Sequence, residues 1–187
     1  MNFFKTRLYF TGIVTLGIWS LLAWHHFNGG IPSHHILARQ DLPEISNGWG
    51  GLLLPLLTWF LLYRVQQRLQ SNPSEVSGAF GIPPTVLYGF AGALGFGILL
   101  STFFTLGLSE IPFYMLIGLL LLAFFFPIFR SECLLGFVIG MTFTFGAVLP
   151  TGIGSILAVL GAFIFLVIRP ILSFITSGLI GMVSGNK

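Results

Sequence analysis

From Cys133 to Ile168 the chain runs 36 residues without a single Asp, Glu, Lys, Arg or His. As one helix, rising about 1.5 Å per residue, that run would be about 54 Å long. The hydrocarbon core of a bilayer is only about 30 Å thick. The run therefore has to fold back on itself in an apolar solvent. Leu149–Gly152 ("LPTG") supplies a turn near its centre. Two spans in a hairpin are expected, about 133–149 and 151–168, with a re-entrant hairpin as the alternative.

The rest of the chain is of the same character. Hydrophobic residues make up 55% of the 187 and charged residues 7%, whereas soluble domains carry about 25% charge. So little charge cannot cover a water-facing surface, and lipid is the solvent the composition requires. The net charge of +3 comes from cations placed singly or in pairs along the sequence. That distribution forms no phosphate-binding stripe, so nucleic acid is excluded as a partner. One cysteine, Cys133, excludes an intramolecular disulfide and any multi-cysteine metal site.

Uncharged runs between ionisable residues mark further spans at about 8–27, 45–63, 84–107 and 111–129. The first follows Lys5 and Arg7 and resembles a signal peptide. Bulky Trp24, His25, His26 and Phe27 stand where small cleavage residues would be required, so it reads as an uncleaved span. Pro55 lies inside the second span and is expected to kink it. The third opens on Pro84, where a missing N–H costs nothing. The tail, 170–183, mixes apolar residues with Ser, Thr and Gly and is short for a crossing, which fits an interfacial helix. The fold class expected is all-α: a polytopic membrane protein of about six transmembrane helices plus a C-terminal interfacial helix, in a single domain.

With six spans and both termini cytoplasmic, Lys5, Arg7, Arg64, Arg68, Arg130, Arg169 and Lys187 all fall on the inner side, and only Arg39 falls outside. That is the bias of a cytoplasmic (inner) membrane protein. It leaves a polar, histidine-rich loop, 28–44, facing outward.

Aligning Leu94–Glu110 with Leu135–Thr151 gives six identities in seventeen positions, among them Gly95/Gly136, Phe96/Phe137 and Phe104/Phe145. Chance in so biased a composition gives about two. The pattern points to a tandem hairpin repeat, 84–129 and 133–168, related by an axis along the membrane normal, as in some transporters.

Two sets of residues carry candidate chemistry. The outer loop gathers His34, His35, Asp41 and Glu44, and Glu110 falls on the same side. Imidazoles with carboxylates suit a divalent transition metal as cofactor, although no H-E-x-x-H or Cys/His zinc spacing is present. A structural role is the favoured reading: Ser33 as N-cap of a short helix through Gln40, and Asp41 with Glu44 as a capping box opening the second span. The second set is a vestibule and path: His25, His26, Arg39 and Asn47 at the outer mouth, with Ser101, Thr105, Thr142 and Thr144 on spans three and five. Membrane hydroxyls commonly bond their own i−4 carbonyl instead. Gly89, Gly92, Gly95, Gly97, Gly136, Gly140 and Gly146 crowd the same two spans. They point to close helix packing, within the chain or between copies in a homo-oligomer or a larger membrane complex.

Three functions follow. The first is a small-solute or ion transporter or channel with an outward vestibule. The second is a membrane enzyme or metal-binding protein with its His/Asp/Glu site at the outer surface. The third is a packing subunit of a membrane complex.

Overall fold

The computed structural model describes residues 3–30, 33–35, 44–71, 82–108 and 110–184. It is helical apart from one short ladder. In chain order the elements are α1 (Phe3–Phe27), β1 (Ser33–His35), β2 (Glu44–Ser46), α2 (Gly50–Ser71), α3 (Pro84–Thr105), α4 (Glu110–Leu122), α5 (Ser131–Phe145), α6 (Val148–Phe163) and α7 (Arg169–Ser184).

Among the described residues, four helical stretches are long and apolar enough to cross a bilayer: Phe3–Phe27, Asn47–Ser71, Pro84–Thr105 and Val148–Thr176. Two of the six expected spans are shorter. α4 has 13 residues and α5 has 15, about 20 and 22 Å of helix. The fourth span ends early because turns from Ala123 precede Pro127, and the residue before a proline is driven out of the helical region. α5 is short for a different reason. It is the centre of the molecule, packed by α2, α3 and α6, and it buries Leu135, Gly136, Phe137, Val138, Met141 and Thr142. A helix walled in by protein does not have to match the thickness of the lipid around it.

The turn that reverses the long uncharged run lies earlier than its sequence suggests. Gly146 adopts φ +68° and ends α5 by donating its N–H to Thr142 O, a left-handed stop that glycine takes without penalty. Leu149–Gly152 is not the turn; it is inside the first turns of α6, where Pro150 sacrifices no helical hydrogen bond. At the other end, α6 does not stop before a separate interfacial helix. It passes through a five-residue π-helical turn, Ile164–Ile168, directly into α7. Pro170 explains the widened turn, because in an α-helix its ring would clash with the carbonyl four residues back, at Leu166.

Pro55 sits within α2 without ending it. Lacking an N–H, it leaves Gly51 O without its usual helical donor. Trp19 Nε1 on α1 donates to that oxygen at 3.0 Å, so a defect in one helix becomes a contact between two. Replacing Trp19 with Phe strips the donor and leaves a carbonyl unpaired in a low-dielectric setting. A loss of about 1–3 kcal/mol of stability is expected, readable as a lowered unfolding midpoint in detergent.

α3 and α5 lie side by side and parallel. Gly136 faces Phe90 and Leu94, and Gly140 faces Leu94, Gly97 and Ile98. Small residues let two backbones meet this way in a membrane. Two of the aligned pairs touch: Phe96 with Phe137 (centroids 6.3 Å apart) and Phe104 with Phe145 (4.8 Å). The correspondence does not extend to the glycines, since Gly136 is pressed against Phe90 while a side chain at its counterpart Gly95 would meet nothing within 4 Å.

The described ends of the loop expected to face outward differ from their expected form. Ser33–His35 pairs antiparallel with Glu44–Ser46, setting Ser33 opposite Ser46, His34 opposite Ile45 and His35 opposite Glu44. Ser33–His35 is thus extended where a helix start is expected from the sequence, and the rest of that expected helix, 36–40, lies outside the described residues. The cap before the second span is Ser46, whose side chain accepts from Gly48 N across a short 3₁₀ turn, Asn47–Trp49. An Asp41–Glu44 capping box is ruled out because Glu44 lies in β2, three residues before that turn.

Candidate functional site

At the end of the bundle where α1 begins and α2 ends, the charges are arranged rather than scattered. Arg7 is buried, donates to Gln66 Oε1 at 3.2 Å, and stacks 3.8 Å from the Trp59 ring centroid with Phe4 and Tyr63 nearby. Aromatic faces stabilise a desolvated guanidinium by about 0.5–2 kcal/mol. Arg68, one α2 turn beyond Arg64, reaches across to the first turn of α5. Its Nη1 and Nη2 donate to Glu132 Oε2 and Oε1 at 3.0 and 2.8 Å. Glu132 is 2% exposed. Two parallel charge-assisted bonds are the strongest way to hold a carboxylate in a membrane protein, and they fasten α2 to α5.

Beside this pair lies a cavity of about 570 Å³ walled by α3, α4, α5 and α6. Its polar lining is confined to one end: Thr85 and Tyr88 from the start of α3, and Arg130, Glu132 and Cys133 from the start of α5. Deeper in, the walls are Ala93, Phe96, Leu119, Leu122, Phe137 and Leu157. On α3 the lining runs from Thr85 to Phe96, about 16 Å along the axis. Tyr88 and Phe126 on its rim are exposed, so in a bilayer the mouth faces lipid. Gly89 and Gly92 form part of the α3 wall. A side chain at Gly89 would press on Glu132 and Cys133, whereas one at Gly92 would enter open space.

The described residues among those singled out from sequence are spread over several elements. His25 and His26 end α1, with His26 exposed against the Phe27 ring. Asn47 opens the 3₁₀ turn and packs against Gly146. Thr105 donates to Thr102 O, and Thr142 donates to Val138 O at 2.7 Å inside the protein. Ser101 is buried with no hydrogen-bond partner for its hydroxyl among the described residues, and Thr144 is half-buried near the C-terminal end of α5. Where a path between α3 and α5 would run, Gly97, Gly136 and Gly140 put the two backbones in contact. Glu110 is exposed at the head of α4. The ladder sets His35 across from Glu44 in backbone register, while Arg39 and Asp41 lie outside the described residues. Among the described residues, no three His, Cys, Asp or Glu side chains come close enough to hold a metal.

Reading from sequence missed the Arg68–Glu132 pair and the cavity. A signal for the first was present: Glu132 is an acid at the threshold of a long apolar run, and such a group needs a partner. No signal for the cavity is visible, because its walls come from four helices.

The aromatic residues are placed as lipid requires. Tyr9, Tyr63 and Tyr88 are exposed toward the basic end, and Trp24 and Trp49 toward the other, the two belts of a membrane-spanning bundle. Large apolar side chains such as Leu16, Leu56, Phe143 and Val159 are exposed between them. The protein's apolar helices are compatible with an integral membrane protein. It matches no known protein family, no curated protein and no solved structure.

Proposed function

We propose that this protein takes a small hydrophobic or amphiphilic molecule from the inner half of a bacterial-type cytoplasmic membrane into the cavity between α3, α4, α5 and α6, as a binding protein or transporter. The observation that carries this reading is the cavity's polarity: apolar walls about 16 Å long with all its polar side chains at the basic end. A water-soluble solute would find no partners along most of that length. An acyl chain would find only partners it can use, and the volume is in the range of sites that bury small molecules, roughly 300–1,000 Å³. The basic end is assigned to the cytoplasm by the distribution of Lys and Arg. A conduit for polar solutes or ions between α3 and α5, fed from an outer vestibule, is the weaker reading because the helix backbones meet there.

The test uses Gly92, where a side chain would project into open space. Gly92→Phe is expected to fill the slot while leaving the fold intact. Photo-cross-linking of a diazirine-bearing fatty alcohol to α3 and α5 should fall about tenfold, the effect of some 1.4 kcal/mol of lost affinity. An unchanged unfolding midpoint would accompany it. Equal labelling of the variant and the parent protein would reject the cavity as the binding site.

A further inference from the structure

We infer that the molecule held in the cavity carries an anionic headgroup, a phosphate monoester or a carboxylate, and that Arg130 binds it; this rests on the cavity being the binding site. Three observations converge on Arg130. It is half-buried and lines the polar end of the cavity. Its guanidinium has no hydrogen bond or ion pair among the described residues, although Glu132 is only two residues away. Both oxygens of Glu132 are already engaged by Arg68, so that carboxylate is committed to another guanidinium.

A guanidinium with no partner among the described residues, set beside an apolar cavity, gains from an anion entering there. The planar fork of Arg matches phosphate and carboxylate oxygens in a two-point contact. The first turn of α5, which Arg130 caps through its backbone, has no side-chain cap of its own. The geometry then orders the ligand: headgroup at Arg130 with Thr85 and Tyr88 beside it, chain directed toward Phe96 and Phe137. Bulk phospholipid headgroups at the inner interface offer the same oxygens but not a chain inside the cavity.

Cross-link competition in phosphatidylcholine nanodiscs separates the cases. The probe is a C16 phosphate with a mid-chain diazirine, and the competitors are hexadecyl phosphate, palmitate, neutral monopalmitoylglycerol and inorganic phosphate. Hexadecyl phosphate and palmitate should displace the probe from α3 and α5 at about tenfold lower concentration than the neutral lipid, as expected for one charge-assisted contact. Arg130→Gln should erase that difference, and Arg130→Lys should keep part of it. Equal competition by neutral and anionic chains, unaffected by Arg130→Gln, would overturn the headgroup assignment and leave the cavity reading standing. Competition by inorganic phosphate alone would assign Arg130 to a soluble anion and overturn the amphiphile. No cross-link within the cavity from any probe would overturn the cavity reading itself.

Discussion

Replacing Glu132 with alanine will lower stability by about 3 kcal/mol, near the lower end of what breaking a buried ion pair costs. The loss comes from two sources. The α2–α5 fastening disappears, and Arg68 is left as a charge with no partner in a desolvated setting. Arg68 retains some exposure, 25% of its side chain, which lets water or a lipid phosphate recover part of the loss and keeps the figure from the upper end. For a chain of this size such a change corresponds to a fall of about 6–12 °C in the unfolding midpoint. The double substitution Arg68→Met with Glu132→Leu should recover most of it, because no unpaired charge remains. A single variant as stable as the parent would show that the pair is not buried in the folded protein. A double variant no better than the single would show that the loss comes from shape and not from charge.

The second large effect is expected at Gly136. A methyl group there would collide with the carbonyl oxygen of Phe90 and lie 3.0 Å from Leu94 N. These are backbone atoms and cannot swing aside, so Gly136→Ala forces α3 and α5 apart along their whole contact. A loss of about 3 kcal/mol is expected, at the high end for overpacking. Gly95→Ala is the matched control. Its methyl group would meet nothing within 4 Å, and removing a helical glycine there should stabilise the protein by about 0.5–1 kcal/mol. Thermal unfolding of the two variants side by side checks the prediction. If both behave alike, the close α3–α5 crossing does not exist.

The pair of glycines also shows where sequence runs out. Gly95 and Gly136 are equivalent in the alignment of the two hairpins, and both sit in apolar helices rich in small residues. One is an irreplaceable contact and the other an open surface. A glycine records only that no side chain is present; what occupies the space comes from another helix. The same holds for the turn in the long uncharged run. Both "GA" at 146–147 and "LPTG" at 149–152 carry turn residues, and proline tolerates the first turn of a helix as well as a loop. Only the packing of Gly146 against Asn47 and Ala147 against Gly50 places the reversal.

Local physics made the solvent and the helices legible. With 7% charge and uncharged runs close to bilayer length, the sequence points to a bundle of apolar helices in lipid, with all its cations but Arg39 expected on one side. α1, α2 and α3 begin and end near charges or prolines visible in the sequence, except that α1 already includes Lys5 and Arg7 and α2 continues through Arg64 and Arg68. The exception at α2 is the informative one. A cation after an apolar run reads as the end of a span, since charge belongs in water. The carboxylate of Glu132, 64 positions away, makes it favourable for Arg68 to remain on the helix and inside the protein. Hydrophobicity sorts residues between lipid and water one at a time, and a linear sequence records it. Compensation between charges, contact between glycines and the space left among four helices depend on pairs and quartets of distant residues. Those the tertiary structure decided, and the cavity at the basic end is one of them.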